Sequence, residues 1–301
     1  MTLVLANPHA KGGRVRHMLP AVRRVLDELA PLPRLHAPDT VQDALDLLMR
    51  EPEGSRVVLV GGDGSVNRWL PALLTRQLHT GLVPLGSGND LARALGLDRQ
   101  HWPNALALAL QGNTRPMDTG LAVWTDMHGD SHRTPFTSSL TAGFDSSVAL
   151  RALQGPRWLS GLPRYLWATL RELQHLRHWP IRAQADGQHL DDGPVLLMSV
   201  LNTPTLGAGI AAMPHASTHD GQLDWLRAGP FGRLSCMHLL PRFMFGRHLT
   251  QPGVQAARFE QLNLHCPEGI PLAADGEWLG LARQVHVRVQ AHSLHMVTGN
   301  V

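Results

Sequence analysis

Three times before residue 90, the chain runs a short apolar strand into a glycine-rich polar loop and on into a helical pattern. Leu3-Val4-Leu5-Ala6 meets Asn7-Pro8-His9-Ala10-Lys11-Gly12-Gly13, and a helix is expected over Val15 to Leu29, with Met18, Val22, Val25 and Leu26 at helical spacing. Arg56-Val57-Val58-Leu59-Val60 meets Gly61-Gly62-Asp63-Gly64-Ser65, with a helix expected from about Ser65 to Arg76. A strand near Gly81 to Pro84 meets Gly86-Ser87-Gly88-Asn89, and Asn89 or Asp90 caps a helix running through Leu95. Between the first two units, Thr40 reads as the N-cap of a helix through Ala44 and Leu48. Such alternation predicts a parallel sheet covered by helices. Loops at the carboxyl ends of its strands converge on one edge, where α/β folds bind ligands.

The loop chemistry suits phosphate. Glycine leaves no Cβ in the way of backbone N–H groups approaching an oxyanion, and a helix N-terminus adds partial positive charge. Lys11 is a point-charge partner, and Asp63 among such groups calls for a cation or a hydrogen-bond network beside it. No GxxxxGK[ST] loop occurs, and no proper GxGxxG fingerprint.

From about Asp118 the pattern changes to consecutive strand-like runs: Gly120 to Trp124, Pro135 to Ala142, Ile181 to Ala185, Val195 to Leu201, Gln222 to Leu226 and Gln284 to Val289. One helical stretch, roughly Ser147 to Arg177, interrupts them, so an antiparallel sandwich or barrel-like second domain is expected after a boundary between Gly112 and Thr119. At 301 residues the chain is long enough for two domains. No apolar run approaches the roughly 20 residues of a bilayer span, and the N-terminus is a poor signal peptide, so a cytoplasmic protein with peripheral membrane contact is expected. Cys236 and Cys266 lack metal-site or disulfide-framework spacing. His175 with His178 and His215 with His219 have no carboxylate to complete a site, and neither HExxH nor GxSxG occurs. No concentrated basic stripe marks a nucleic-acid module. Lys11 is the only lysine, so all other side-chain positive charge at neutral pH is arginine.

Taken in order, Asn7-Pro8 with Gly12-Gly13, Gly61-Gly62-Asp63-Gly64-Ser65-Val66-Asn67 and Gly86-Ser87-Gly88-Asn89-Asp90-Leu91-Ala92-Arg93 resemble the motifs of the diacylglycerol kinase catalytic domain. The likeness continues through Ala142-Gly143-Phe144-Asp145, Asn202 with Gly207-Ala208-Gly209, Pro214, Asp220-Gly221-Gln222-Leu223-Asp224 and Asp275-Gly276-Glu277, covering nearly the whole chain. This family includes sphingosine and ceramide kinases and is more distantly similar to NAD kinases and 6-phosphofructokinases. The resemblance implies an α/β protein: a Rossmann-like or phosphofructokinase-like nucleotide domain over 1–118, then an antiparallel β-sandwich domain over 119–301 whose last residues could return to the first. It implies ATP as donor, Mg2+ as cofactor, a lipid hydroxyl as acceptor at the inner face of a membrane, and an active site between the domains; a homodimer is left open. Asn7, Lys11, Gly12, the Gly61–Ser65 loop, Asn67 and Gly86, Ser87, Gly88 and Asn89 would cradle the nucleotide. Asp63, Asp90, Asp118 and Glu277 would orient the catalytic magnesium, and Asp275 would take the proton of the acceptor hydroxyl. Asp220, the carbonyl of Leu223 and Asp224 would hold a second, structural magnesium. Ser65 and Ser87 stand where the family usually has threonine, and the Gly207–Gly209 stretch is looser than the family's glycine cluster.

Two rival readings stay open at this point, a soluble small-molecule kinase such as an NAD kinase and a non-catalytic nucleotide- or lipid-sensing module. Every expected acidic position is occupied, which opposes the second. The stretch Arg151 to Pro180 interleaves Trp158, Tyr165, Trp167 and several leucines with five arginines, the make-up of a helix lying in a membrane interface or packed on its own sandwich. Phe243-Met244-Phe245-Gly246-Arg247, with Trp225, is a second candidate for membrane contact.

Overall fold

The computed structural model describes residues 2–29, 31–97, 101–156, 158–159, 161–207 and 209–299; Arg157 and Ala208 fall outside them. The chain divides into two units, one running to Met117 and taking the chain back from His292, the other spanning Asp118–Ala291. The division falls inside the expected Gly112–Thr119 interval, and Asp118 belongs to the second unit and not to the first.

In the first unit β1 (Leu3–Ala6), β2 (Arg34–His36), β3 (Arg56–Gly61) and β4 (His79–Pro84) form a parallel sheet in the order β2-β1-β3-β4. The returning chain adds a parallel strand beside β4, pairing His295 with His79. Alternate side chains fill two cores, as strands buried on both faces must. Leu3, Leu5, Val57, Leu59 and Leu82 pack with α2 (Val41–Met49), α3 (Asp63–Thr75) and α4 (Asp90–Ala94); Val4, Ala6, Val58, Val60 and Val83 pack with α1 (Arg14–Asp27) and α5 (Trp102–Gln111). Thr40 caps α2 as its sequence predicts, accepting the Asp43 N–H at 3.1 Å. Strand β2 and helix α5 go unsignalled in the sequence, β2 because three residues carry no period.

The second unit is built on antiparallel ladders. Strand β5 (Thr114–Asp126) enters it and pairs with β6 (Ser131–Phe136); β7 (Ser139–Gly143) follows after a break at Thr137-Ser138. The run read as one strand over Pro135 to Ala142 is thus two, and the break has a function described below. The expected single helix is also two, α6 (Phe144–Leu153) and α7 (Leu162–Glu172), separated by a stretch with Gly155-Pro156 and with Gly161 at φ 60°. Then come β8 (Trp179–Ala185), β9 (Gln188–Val195), β10 (Leu197–Leu201), β11 (Leu223–Ala228), the unanticipated helix α8 (Arg233–Met244), β12 (Val254–Phe259), β13 (Gln261–Ala274) and β14 (Glu277–Val297). The ladder runs β12-β11-β10-β7-β13-β14, while β9 and β8 pair onto the other half of β13. A register shift between His265 and Ile270 divides β13, its first half meeting β8 and its second β7. A bulge of this kind lets one strand serve both sheets of a sandwich. Phe136, Trp225, Phe259, Leu262, Ile270 and Leu272 fill the core between. Trp225, grouped above with possible membrane contacts, is only 1% exposed and is a core residue. No helix among the described residues is long and apolar enough to cross a membrane.

Candidate active site

In the first unit the glycine loops are pressed backbone to backbone. A Cβ on Gly62 would lie 2.4 Å from the Gly86 Cα, and one on Gly86 would lie 2.5 Å from the Gly62 Cα, so neither loop admits a side chain there. Helix α3 begins at Asp63, earlier than expected, which places Gly64 and Ser65 in its first turn with their amides near the helix N-terminus. Asn7 at the end of β1 donates to Ser65 Oγ at 2.8 Å, tying the first loop to the second. Asn89 adopts left-handed backbone at φ 56° and caps the third loop, not the helix. Its Oδ1 accepts the Gly86 N–H at 3.0 Å, and its Nδ2 donates to the carbonyls of Pro84 and Gly86.

The α4 N-terminus is instead capped from a distance. Asp63 accepts the backbone N–H groups of Asp90 at 2.9 Å and Leu91 at 3.3 Å, so a carboxylate from one motif closes the helix of another. Arg93 donates to Asp90 Oδ1 at 2.8 Å and to the Gly88 carbonyl at 2.7 Å, bracing the third loop. Asn67 is half-buried on α3 and Ser87 is exposed. Gly12 (φ 66°) and the exposed Lys11 (φ 53°) lie in the left-handed turn before α1; the Lys11 ammonium has no partner among the described residues.

In the second unit Asp275 and Gly276 are the two central residues of the β13–β14 hairpin, with φ 48° and 83°. Positive φ at both positions is the type I′ turn that Asp-Gly favours. The Asp275 carboxylate projects into the break between β6 and β7. Oδ1 accepts the N–H groups of Ser138 (2.8 Å) and Ser139 (2.9 Å); Oδ2 accepts the N–H (2.9 Å) and hydroxyl (3.1 Å) of Thr137. This nest of three successive amides holds the carboxylate more firmly than a turn alone could. Glu277 begins β14 two residues on.

Asp118 is fully buried, and its Oδ2 accepts the Gly221 N–H at 2.8 Å. Asn202 Nδ2 donates to the carbonyls of both Asp118 and Thr137 at 2.8 Å, so one buried amide links the Asp118 segment to the nest around Asp275. Within each unit the structure brings Asp63 against Asp90 and Asp118 against Gly221. Among the described residues no three His, Cys, Asp or Glu groups converge as a ready metal site.

At the residues expected to hold a structural magnesium, an arginine stands beside the two carboxylates. Arg258 lies 3.6 Å from Asp224 and 3.8 Å from Asp220, already supplying the countercharge. Asp224 is buried, and that burial raises its carboxyl above the usual range, with Arg258 opposing the shift. Leu223 is buried at the start of β11. Arg258 went unread because an arginine on an exposed strand position carries no motif.

The second unit also holds an apolar cavity of about 80 Å³, walled by residues including Phe144, Tyr165, Leu173, Leu197, Leu240 and Phe243. Among the described residues one carboxyl lines it. Asp145 is 5% exposed; Ser199 donates to its Oδ2 at 2.6 Å, its Oδ1 has no partner among the described residues, and burial pushes its pKa up to about 6. No periodic signal in the sequence announces such a cavity, because α8, which closes it, is apolar on more than one side.

Comparison with known proteins agrees with this arrangement. The diacylglycerol kinase catalytic domain matches residues 1–122, and the YegS C-terminal NAD kinase beta sandwich-like domain matches residues 138–298. A diacylglycerol kinase of Mycobacterium tuberculosis is 33% identical over 222 residues, 74% of this chain and 70% of the relative. A diacylglycerol kinase of Bacillus subtilis is 25% identical over 266 residues, 87% of this chain and 82% of the relative. Among solved structures, a diacylglycerol kinase from Bacillus anthracis superposes with TM-score 0.71 at 16% identity, covering 99% of this chain and 96% of that one. An NAD kinase from Archaeoglobus fulgidus in complex with ATP gives TM-score 0.53 at 10% identity, covering 99% and 94%, a likeness of fold alone. The chain therefore belongs to the diacylglycerol kinase catalytic-domain family, with a second domain of the YegS type.

Proposed function

We propose that this protein transfers the γ-phosphoryl group of ATP to the hydroxyl of a lipid. The observation that carries the lipid reading is the apolar cavity, which lies in the same unit as Asp275 and is walled almost wholly by hydrocarbon side chains. The paired glycine loops, with the first-turn amides of α3, are the phosphate-binding element. The carboxylates of Asp63 and Asp90, hard oxygen donors beside those loops, would hold the magnesium that neutralises the phosphate oxygens. Asp275 accepts the proton of the acceptor hydroxyl as its oxygen bonds to the γ-phosphorus and the bond to the β–γ bridging oxygen breaks, releasing ADP. Both Asp275 oxygens already accept at least two hydrogen bonds each. Proton transfer therefore needs one of these to yield, and the Thr137 hydroxyl is the donor whose rotation costs no backbone contact.

The test is transfer of labelled γ-phosphate to a panel of lipids in mixed micelles, comparing the protein with Asp275→Asn. Labelled lipid that disappears in the variant is the expected result. The variant must be shown folded, because an amide NH2 facing the Thr137 N–H costs about 1–3 kcal/mol. Label on NAD and on no lipid would overturn the reading in favour of a soluble kinase. ATP binding without transfer would overturn it in favour of a sensing module.

A further inference from the structure

Helix α8 is apolar on two opposite sides. At about 100° per residue, Cys236, Leu239, Leu240 and Phe243 share one face, and these side chains wall the cavity. Leu234, Met237 and Pro241 occupy the other face, within about 60° of arc, and Phe245 prolongs it just past the helix end. That outer face is in the open: Leu234 is 84% exposed, Phe245 73% and Met237 56%. Elsewhere in the same helical layer, Trp158 before α7 is 82% exposed and Leu170 on α7 is 53% exposed. Arg233 joins the pieces, donating to the carbonyls of Leu173 and Gln174 just after α7. A helix exposing large apolar residues on the side away from the core marks a surface that meets something apolar.

Charge identifies what that is. The segments 151–177 and 232–247 contain eight arginines and one acid, Glu172, in a chain whose net charge is only +3. Glu172 is spent on Arg151, 2.6 Å away. Apolar side chains flanked by arginine with almost no carboxylate match an anionic bilayer, where each basic residue near the surface contributes on the order of 1 kcal/mol. A second copy of this chain would bring the same positive field against itself, which disfavours self-association through this face.

We propose that the outer face of α8, with Phe245 and the arginines around it, docks on anionic membrane lipid. In that position the helix has bilayer on one side and the cavity on the other, which sets the cavity next to the lipid phase. This deepens the lipid-kinase reading, yet its test does not depend on it, because binding is scored without nucleotide.

The experiment is co-sedimentation with vesicles of phosphatidylcholine alone and of phosphatidylcholine mixed with phosphatidylglycerol. Wild-type protein should bind the anionic vesicles, and added salt should weaken that binding. Leu234→Ser with Phe245→Ser should reduce it about tenfold or more. Arg242→Gln with Arg247→Gln should remove the preference for the anionic lipid. Neither pair should alter the thermal midpoint by more than a few degrees, since all four side chains lie outside the buried core. Equal binding by wild type and the Leu234/Phe245 variant would overturn the proposal, as would no vesicle binding at all. A wild-type dimer in sedimentation velocity that the same variant splits would also overturn it, assigning the face to a second copy. Loss of vesicle binding with unchanged phosphotransfer to a short-chain soluble acceptor supports the docking role, whereas absent transfer in every protein bears only on the kinase reading.

Discussion

Asp145 shows how a single side chain couples the cavity to pH. Burial raises its pKa to about 6, against an ordinary value near 3.8, with the Ser199 hydroxyl working the other way. A carboxyl whose folded value lies above its unfolded one favours the folded state while protonated. That contribution is present at low pH and is lost as pH rises from about 4 through about 6. The amount is on the order of 3 kcal/mol. Asp145→Asn, which keeps an oxygen for Ser199, should therefore lose less stability than wild type between pH 4 and 7. Thermal midpoints of both proteins across that range check this, and parallel curves would refute it. The residues of the site were unevenly legible. Asp63, Asp90 and Asp275 stand out because glycine surrounds them. Thr137, Ser138 and Ser139 do not, since three small polar residues inside a strand-like run give no hint that their amides converge on a carboxylate 136 to 138 positions away.

At the scale of elements, local chemistry that acts over three or four residues was readable. The Thr40 cap and the strand-to-loop exits of β1, β3 and β4 belong to this class, because cap and turn preferences act on the backbone next to them. Features set by tertiary contact were not. Asn89 occupies the cap position of α4 but turns its side chain back to its own loop, because Asp63 arrives from another motif to close the helix. Likewise the split between α6 and α7 was hidden by apolar spacing that continues across it. The abutting glycines make an element-level prediction. Gly62→Ala sets a methyl 2.4 Å from a backbone carbon, and no side chain can rotate away to relieve it. Nucleotide affinity should fall at least tenfold as the loops part, a loss of about 1.4 kcal/mol or more. Calorimetric titration with an ATP analogue measures it; unchanged affinity would mean that the loops do not hold phosphate.

For the whole molecule, a parallel domain followed by an antiparallel one was apparent from the change of pattern near Asp118, because each strand type has its own hydrophobic period. The pairing order within the sandwich was not apparent. It depends on contacts between distant segments, such as β7 with β13, and on a bulge that leaves no mark in composition. The return of the chain to the first unit carries a prediction at this scale. Leu294, Met296 and Val297 are at most 1% exposed in the strand beside β4. Ending the chain at Ala291 removes all three, a loss of several kcal/mol that rivals the stability of a typical domain. The truncated protein should show protease cleavage within residues 2–97 while the second unit resists; full resistance of both would show the returning strand to be dispensable.

Lys11 gives the molecule an unusual chemical address. It is the sole lysine, it is exposed, and it sits on the turn that joins the first glycine loop to α1. An amine-directed reagent thus has one side-chain target in the whole chain, already placed on the loop assigned to phosphate. A dye attached there would report nucleotide arrival without a cysteine being introduced or removed, and protection of that amine by ATP would map the loop by mass alone.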